Sequence, residues 1–173
     1  MLVIFRGLPG TGKSFLVQKL VERRHGFLVL SRDALRASII PRPRFDQREK
    51  GIIDDFIVEG ARFLLERGLS VVIDGMALSS ASRVGQFVRM AESTGAPWRI
   101  VECECAERTA LARIAADAGA HPAGDRGSAL FYAVKARFEP IDYPRLVVDG
   151  GGDAEENVCR IQEYLLREND LPA

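Results

Sequence analysis

The chain is 173 residues long, 47% hydrophobic and 28% charged, which supplies one globular domain with a sizeable core and excludes a disordered or fibrous chain. Its 24 basic and 24 acidic side chains cancel, so no overall charge draws it to nucleic acid or to an anionic membrane. No apolar run approaches the roughly 18 residues of a membrane span and no signal peptide precedes the first strand, so a cytoplasmic protein without a membrane partner is expected.

Leu2-Val3-Ile4-Phe5 is a short apolar, β-prone run, predicted to be a buried strand. Gly7-Leu8-Pro9-Gly10-Thr11-Gly12-Lys13-Ser14 follows and fits G-x-x-x-x-G-K-[ST], the phosphate-binding P-loop. Phe15, Leu16, Leu20 and Val21 then recur at helical spacing. Strand, glycine-rich loop and helix is the context the motif requires. Gly7, Gly10 and Gly12 admit backbone conformations closed to other residues, so the loop can turn its N–H groups around a phosphate. The helix adds unpaired N–H groups and the positive end of its dipole. Lys13 is expected to reach the β- and γ-phosphates of ATP, and the Ser14 hydroxyl to ligate Mg²⁺. Leu8, Pro9, Thr11 and Phe15 complete the nucleotide-contacting stretch.

Gly26 ends the first helix, and Phe27-Leu28-Val29-Leu30 reads as a second buried strand. Ser31 or Asp33 caps a short helix to about Ile40, which Pro41 and Pro43 stop. A long helix is predicted from about Asp46 to Arg67, with Ile53, Phe56, Ile57, Gly60 and Leu64 on one face and Gly68 as its C-cap. Ser70 to Asp74 is the third strand, and Ser80 caps a helix from about Ala81 to Ser93. The fourth strand starts at Trp98, which reads as core, and ends near Cys103. Cys103-Glu104-Cys105 lacks zinc-site spacing, and with Cys159 the odd count suggests reduced thiols. A helix from Glu107 to about Ala118, a small polar stretch 119–127, a helix from Ser128 to about Phe138, a fifth strand Arg145 to Asp149 and a final helix Ala154 to Arg167 complete the chain. Alternating strands and helices with near-continuous apolar strands imply an α/β fold: a five-stranded parallel sheet in a three-layer sandwich, with ligands at the carboxyl ends of the strands.

Three further positions carry chemistry. Asp74, at the end of an apolar strand, is either a partner of Ser14 in holding Mg²⁺ or a turn residue. Asp33 follows the second strand and projects from the P-loop edge of the sheet; it is either the base that takes the acceptor hydroxyl's proton or a helix N-cap. Arg36, one turn on, binds an anionic acceptor or orients Asp33. The segment from Arg32 to Lys50 is basic, either as a binding face or as a solvated one. An Asn-Lys-x-Asp guanine motif is absent, which favours ATP; the loop 149–153 is an adenine-site candidate by position alone.

Gly7 to Ser14, Ser31-Arg32-Asp33-x-x-Arg36, Val72-Ile73-Asp74 and Arg83 together resemble the P-loop kinases that include polynucleotide 5′-kinases and zeta-toxin-like proteins. The resemblance implies a nucleoside-kinase-like P-loop NTPase fold, a single kinase domain over 1–173 and a small helical lid over about 117–138. It implies that Asp33 is the general base and Arg36 an arginine for the acceptor phosphate. Ala77 departs from the pattern, standing where relatives carry Asn, and Asp117-Ala118-Gly119 occupy the usual lid-arginine region. Arg126 in the lid loop, Arg113 in the preceding helix beside the nucleotide, or Arg137 before Phe-x-Pro is left to stabilise the transferred phosphoryl group. The expected activity is transfer of the γ-phosphate of Mg·ATP to a hydroxyl, on a polynucleotide 5′-end or nucleotide-like compound. The alternatives are a small-molecule kinase, acting on a sugar, nucleoside or antibiotic, and a non-catalytic ATP-binding module.

Overall fold

A computed structural model describes residues 1–117 and 127–167. Five strands, β1 (Leu2–Arg6), β2 (Phe27–Ser31), β3 (Ser70–Asp74), β4 (Trp98–Glu104) and β5 (Leu146–Asp149), form one parallel sheet in the order β2-β3-β1-β4-β5. The helices are α1 (Lys13–Arg23), α2 (Arg32–Ile39), α3 (Gln47–Leu65), α4 (Ala81–Ser93), α5 (Glu107–Ala116), α6 (Ser128–Lys135) and α7 (Ala154–Leu166). No helix among the described residues is long and apolar enough to cross a membrane.

Side chains of a strand alternate between faces, so β1 feeds two cores. Leu2 and Ile4 join Ile53 and Ile57 of α3 and Val84 and Phe87 of α4 on one face. Val3 and Phe5 join Leu16 and Leu20 of α1 and Val158 and Ile161 of α7 on the other. The result is the three-layer sandwich that the alternating elements imply. A smaller cluster of Ala110, Ile114 and Phe131 packs α5 and α6 together, with Leu8 of the P-loop against it.

Three expectations are corrected. β2 is an edge strand, not a buried one: Leu28 and Val29 are 42% and 40% exposed, because nothing pairs beyond them. On α1 the buried row is Leu16, Val17 and Leu20, and Phe15 is exposed beside the cleft. On α3 the buried row runs Ile53, Ile57, Ala61 and Leu65, and Phe56 faces solvent. Trp98 is buried, edge-on to Tyr143 at 5.8 Å. All three thiols are free; burial pushes that of Cys103 up to about 12, so it stays protonated in the core.

Candidate functional site

The P-loop leaves β1 through Gly7 (φ 145°) and turns at Gly10 (φ 79°) and Gly12 (φ 88°). A side chain at Gly7 would meet the Cys103 carbonyl oxygen at 2.2 Å, and one at Gly10 that of Ala110 at 2.5 Å, so the loop lies pressed between β4 and α5. The Gly7 N–H donates to the Ala77 carbonyl at 3.2 Å, which ties the loop to the segment after β3. Lys13 Nζ donates to the carbonyls of Gly7 (2.8 Å) and Leu8 (2.7 Å) and reaches Thr11 Oγ1 (3.3 Å), which sets the ammonium across the mouth of the loop.

Gly12 is the N-cap of α1, no side chain caps the helix, and its first turn carries no acid. The first N–H groups of α1 therefore carry no side-chain cap and no acid of their own turn, the arrangement that receives an anion. Beside them Ser14 Oγ donates to Asp74 Oδ1 at 3.0 Å. Asp74 is buried at the end of β3, a position that selects it as this serine's partner rather than as a turn residue. Hydroxyl and carboxylate together suit Mg²⁺, which takes one or two protein oxygens, substrate phosphates and several waters. Among the described residues no cluster of three metal-ligating acids, histidines or cysteines offers a closed cage instead.

Other elements complete the nucleotide end. Arg113 Nη1 on α5 reaches the Gly10 carbonyl at 3.3 Å, which brings its charge against the loop. The loop after β5 crosses the P-loop so closely that a Cβ at Gly150 would lie 1.9 Å from the Thr11 carbonyl oxygen. Asn157 of α7 holds that loop through the Asp149 carbonyl at 2.7 Å, and Gly150, Gly152 and Asn157 line the cleft with Pro9 and Phe15. Gly150→Ala is expected to cost about 1–3 kcal/mol of stability by forcing the two loops apart. Urea unfolding checks this, and a native midpoint would contradict the contact.

The cleft has a volume of about 1470 Å³ and runs from the P-loop to the walls made by α2, α3 and α4. Ser31, not Asp33, caps α2, accepting from the Ala34 N–H. Asp33 is thereby left to line the cleft. Gly75 makes this possible: at φ 73° it passes so near α2 that a side chain would meet the Arg32 and Asp33 nitrogens at 3.0 and 3.1 Å.

Arg36 is 2% exposed and lines the cleft between two acids. Its Nη1 lies 3.3 Å from Asp33 Oδ1, and its Nε 2.9 Å from Glu49 Oε1. The latter is an ion pair off the line of the N–H, so those two atoms complete no hydrogen bond with each other. The guanidinium also lies over the Phe45 ring at 5.1 Å. Of the two roles open to Arg36, orienting Asp33 is the one this packing suits. Part of the basic segment is likewise matched: Arg32 and Arg83 share Asp54 at 3.4 and 2.6 Å. Neither Asp54 nor Glu49 is marked for these pairings by any local spacing.

Residues 118–126, including Arg126 and most of the expected lid loop, lie outside the described residues. Arg137 lines the cleft. The two residues after it are clamped: Phe138 stacks on the Arg6 guanidinium at 4.4 Å, and the Glu139 carbonyl accepts from Arg6 Nη2 at 2.9 Å. The Glu139 N–H donates to the Ser79 carbonyl, and its carboxylate accepts from the Ala81 N–H at the start of α4, each at 2.7 Å. Arg6 itself is fully buried on β1. Its neighbour in register, Glu102 of β4, lies 3.7 Å from Arg6 Nη1 and 2.6 Å from Arg145 Nε. No sequence signal marks this trio, in which Arg6 and Glu102 are buried and Arg145 is open to solvent, since each charge interrupts or borders an otherwise apolar strand.

A parallel sheet with a P-loop after its central strand, an uncapped helix behind the loop and a Ser–Asp pair beside it define a P-loop protein with the fold of small kinases. The chain belongs to the AAA domain family, whose profile matches residues 2–141. A Chloroflexus aurantiacus protein with a provisional kinase assignment superposes with a TM-score of 0.74 at 20% identity, over 94% of this chain and 97% of its own. The Mycobacterium tuberculosis APS kinase CysC, solved with AMPPNP and APS, gives 0.72 at 17% identity over 96% and 97%. A sugar kinase from Janibacter sp. HTCC2649 gives 0.70 at 14% identity over 95% and 93%. No curated protein matches the sequence.

Proposed function

We propose that this chain is one kinase domain that transfers the γ-phosphate of Mg·ATP to an acceptor hydroxyl. The observation that carries the reading is the single cleft onto which the uncapped start of α1, Lys13 and Asp33 all open. Lys13 and the loop amides hold the β- and γ-phosphates, with Arg113 adding charge at the loop. Ser14 and Asp74 hold Mg²⁺, which when bound neutralises charge developing on the phosphate oxygens. Asp33 takes the acceptor's proton as that oxygen attacks the γ-phosphorus, and Arg36 keeps the carboxylate aimed. Arg137, Arg126 or Arg113 stabilises the phosphoryl group in flight.

The acceptor in this reading carries an anionic group of its own, as a polynucleotide 5′-end or a nucleotide-like compound does. The cleft supports this: among the described residues eight cationic side chains line it against four carboxylates, in a protein whose overall charge is zero. The neutral overall charge favours a small acceptor over a long polyanion, and salt dependence separates the two, since only a polynucleotide releases many counterions. The protein is expected to move labelled phosphate from Mg·ATP to a member of a panel of 5′-hydroxyl oligonucleotides, nucleoside monophosphates, nucleosides and sugars. Lys13→Ala, which removes a charged donor to phosphate, should weaken ATP binding by about tenfold to a hundredfold. ATP binding without transfer to any acceptor would instead favour a regulatory ATP-binding module.

A further inference from the structure

The cleft wall away from the P-loop carries arginines of two kinds. Arg32, Arg36 and Arg83 are matched by Asp54, Asp33 and Glu49. Arg89 of α4 also lines the cleft, and among the described residues no carboxylate lies within ion-pair distance of it.

Its seat is built into the helix. Side chains on a helix lean toward its N terminus, so Arg89 lies back over residue 85, one turn before it. That residue is a buried glycine in mid-helix, an unfavourable choice unless the space is needed. A Cβ there would come within 2.9 Å of both Arg89 Nη1 and Tyr143 Oη. Gly85 thus makes room for the guanidinium and the phenol to lie side by side. Tyr143 is itself set edge-on against buried Trp98. Arg83 and Gln86 of the same helix line this cleft with Arg89, as does Asp33.

Resting on the phosphotransfer reading above, we infer that Arg89, seated between Gly85 and Tyr143, is the specificity-determining residue that contacts the acceptor's own anionic group. The charge matching leaves Arg36 to position Asp33. The chemistry recognised is a phosphate monoester on a compound whose hydroxyl reaches Asp33.

Titration calorimetry on the protein saturated with Mg·AMPPNP tests this. The probes are two pairs that differ by one phosphate: thymidine 3′-monophosphate against thymidine, and ribose 5-phosphate against ribose. One phosphorylated probe is expected to bind more tightly than its partner, which identifies the nucleotide or sugar source. Arg89→Gln should erase about tenfold or more of that preference. Arg89→Lys should restore part of it, and Gly85→Ala, which displaces the guanidinium, should reduce it. AMPPNP affinity and the melting temperature of Arg89→Gln should stay at native values. The inference is overturned if neither phosphorylated probe is preferred, or if Arg89→Gln retains the preference. Loss of AMPPNP binding in the native protein, or binding indifferent to Lys13→Ala, would instead strike the phosphotransfer reading itself and this inference with it.

Discussion

Asp33→Asn is expected to lower the turnover of phosphoryl transfer by about 10²–10⁴-fold while leaving ATP affinity within about twofold of native. The substitution keeps the shape of the side chain and an oxygen that can face Arg36 Nη1, now 3.3 Å from Asp33 Oδ1. It removes the ability to take a proton. Arg36 should not move, because Glu49 at 2.9 Å and the Phe45 ring hold it from the other side. Ser31, not Asp33, caps α2, so the helix start survives. The loss therefore falls on kcat and not on folding or nucleotide binding. Single-turnover transfer of labelled γ-phosphate, alongside equilibrium binding of AMPPNP, makes the separation. Native turnover in the variant would remove Asp33 from the chemistry.

Glu102→Gln is expected to destabilise the fold by about 3–5 kcal/mol, the cost of leaving a buried charge without its partner. Arg6 is fully buried, and desolvation is the largest influence on it, lowering its pKa; the Glu102 carboxylate pulls the other way. Arg145 is partly open to solvent and can find water once Glu102 is neutral, whereas Arg6 cannot. Replacing Arg6 and Glu102 together with apolar residues of similar size is expected to cost less than Glu102→Gln alone, because no charge is then stranded. Urea unfolding of the single and double variants gives both numbers. A single variant within about 1 kcal/mol of native would mean that water or the Glu104 carboxylate already compensates Arg6. The double variant has a second effect to read: without Arg6, the Glu139 carbonyl and Phe138 lose their anchor.

The fold is largely legible because its strands are apolar runs of similar length and because α2, α3, α4 and α7 begin at side-chain caps. Ser70 to Asp74 and Ala81 to Ser93 could be bounded to the residue. What the chain order does not contain is strand order. Phe27 to Leu30 looks like the other strands, and only the topology β2-β3-β1-β4-β5 puts it at an edge. Periodicity weighs bulk and so favours Phe56 over Ala61 as core, whereas Ala61 is buried on α3 and Phe56 is exposed. At the site, local pairings could be read: Asp33 with Arg36 is one helical turn, and Lys13 with Ser14 is one motif. Glu49 with Arg36, Asp54 with two arginines and Arg89 with Gly85 and Tyr143 join separate elements or need a glycine's missing side chain to be noticed. Periodicity assigns such residues to solvated faces.

Asp54 stands on α3 and receives Arg32 from α2 and Arg83 from α4. Three segments scattered over more than fifty positions are thus answerable to a single carboxylate. Drift at one of them strands the charge of another, so selection meets Arg32, Asp54 and Arg83 as one unit of inheritance. A lineage that takes up a different acceptor would have to exchange the three in concert, whereas Arg89, outside that bargain, is free to be replaced alone.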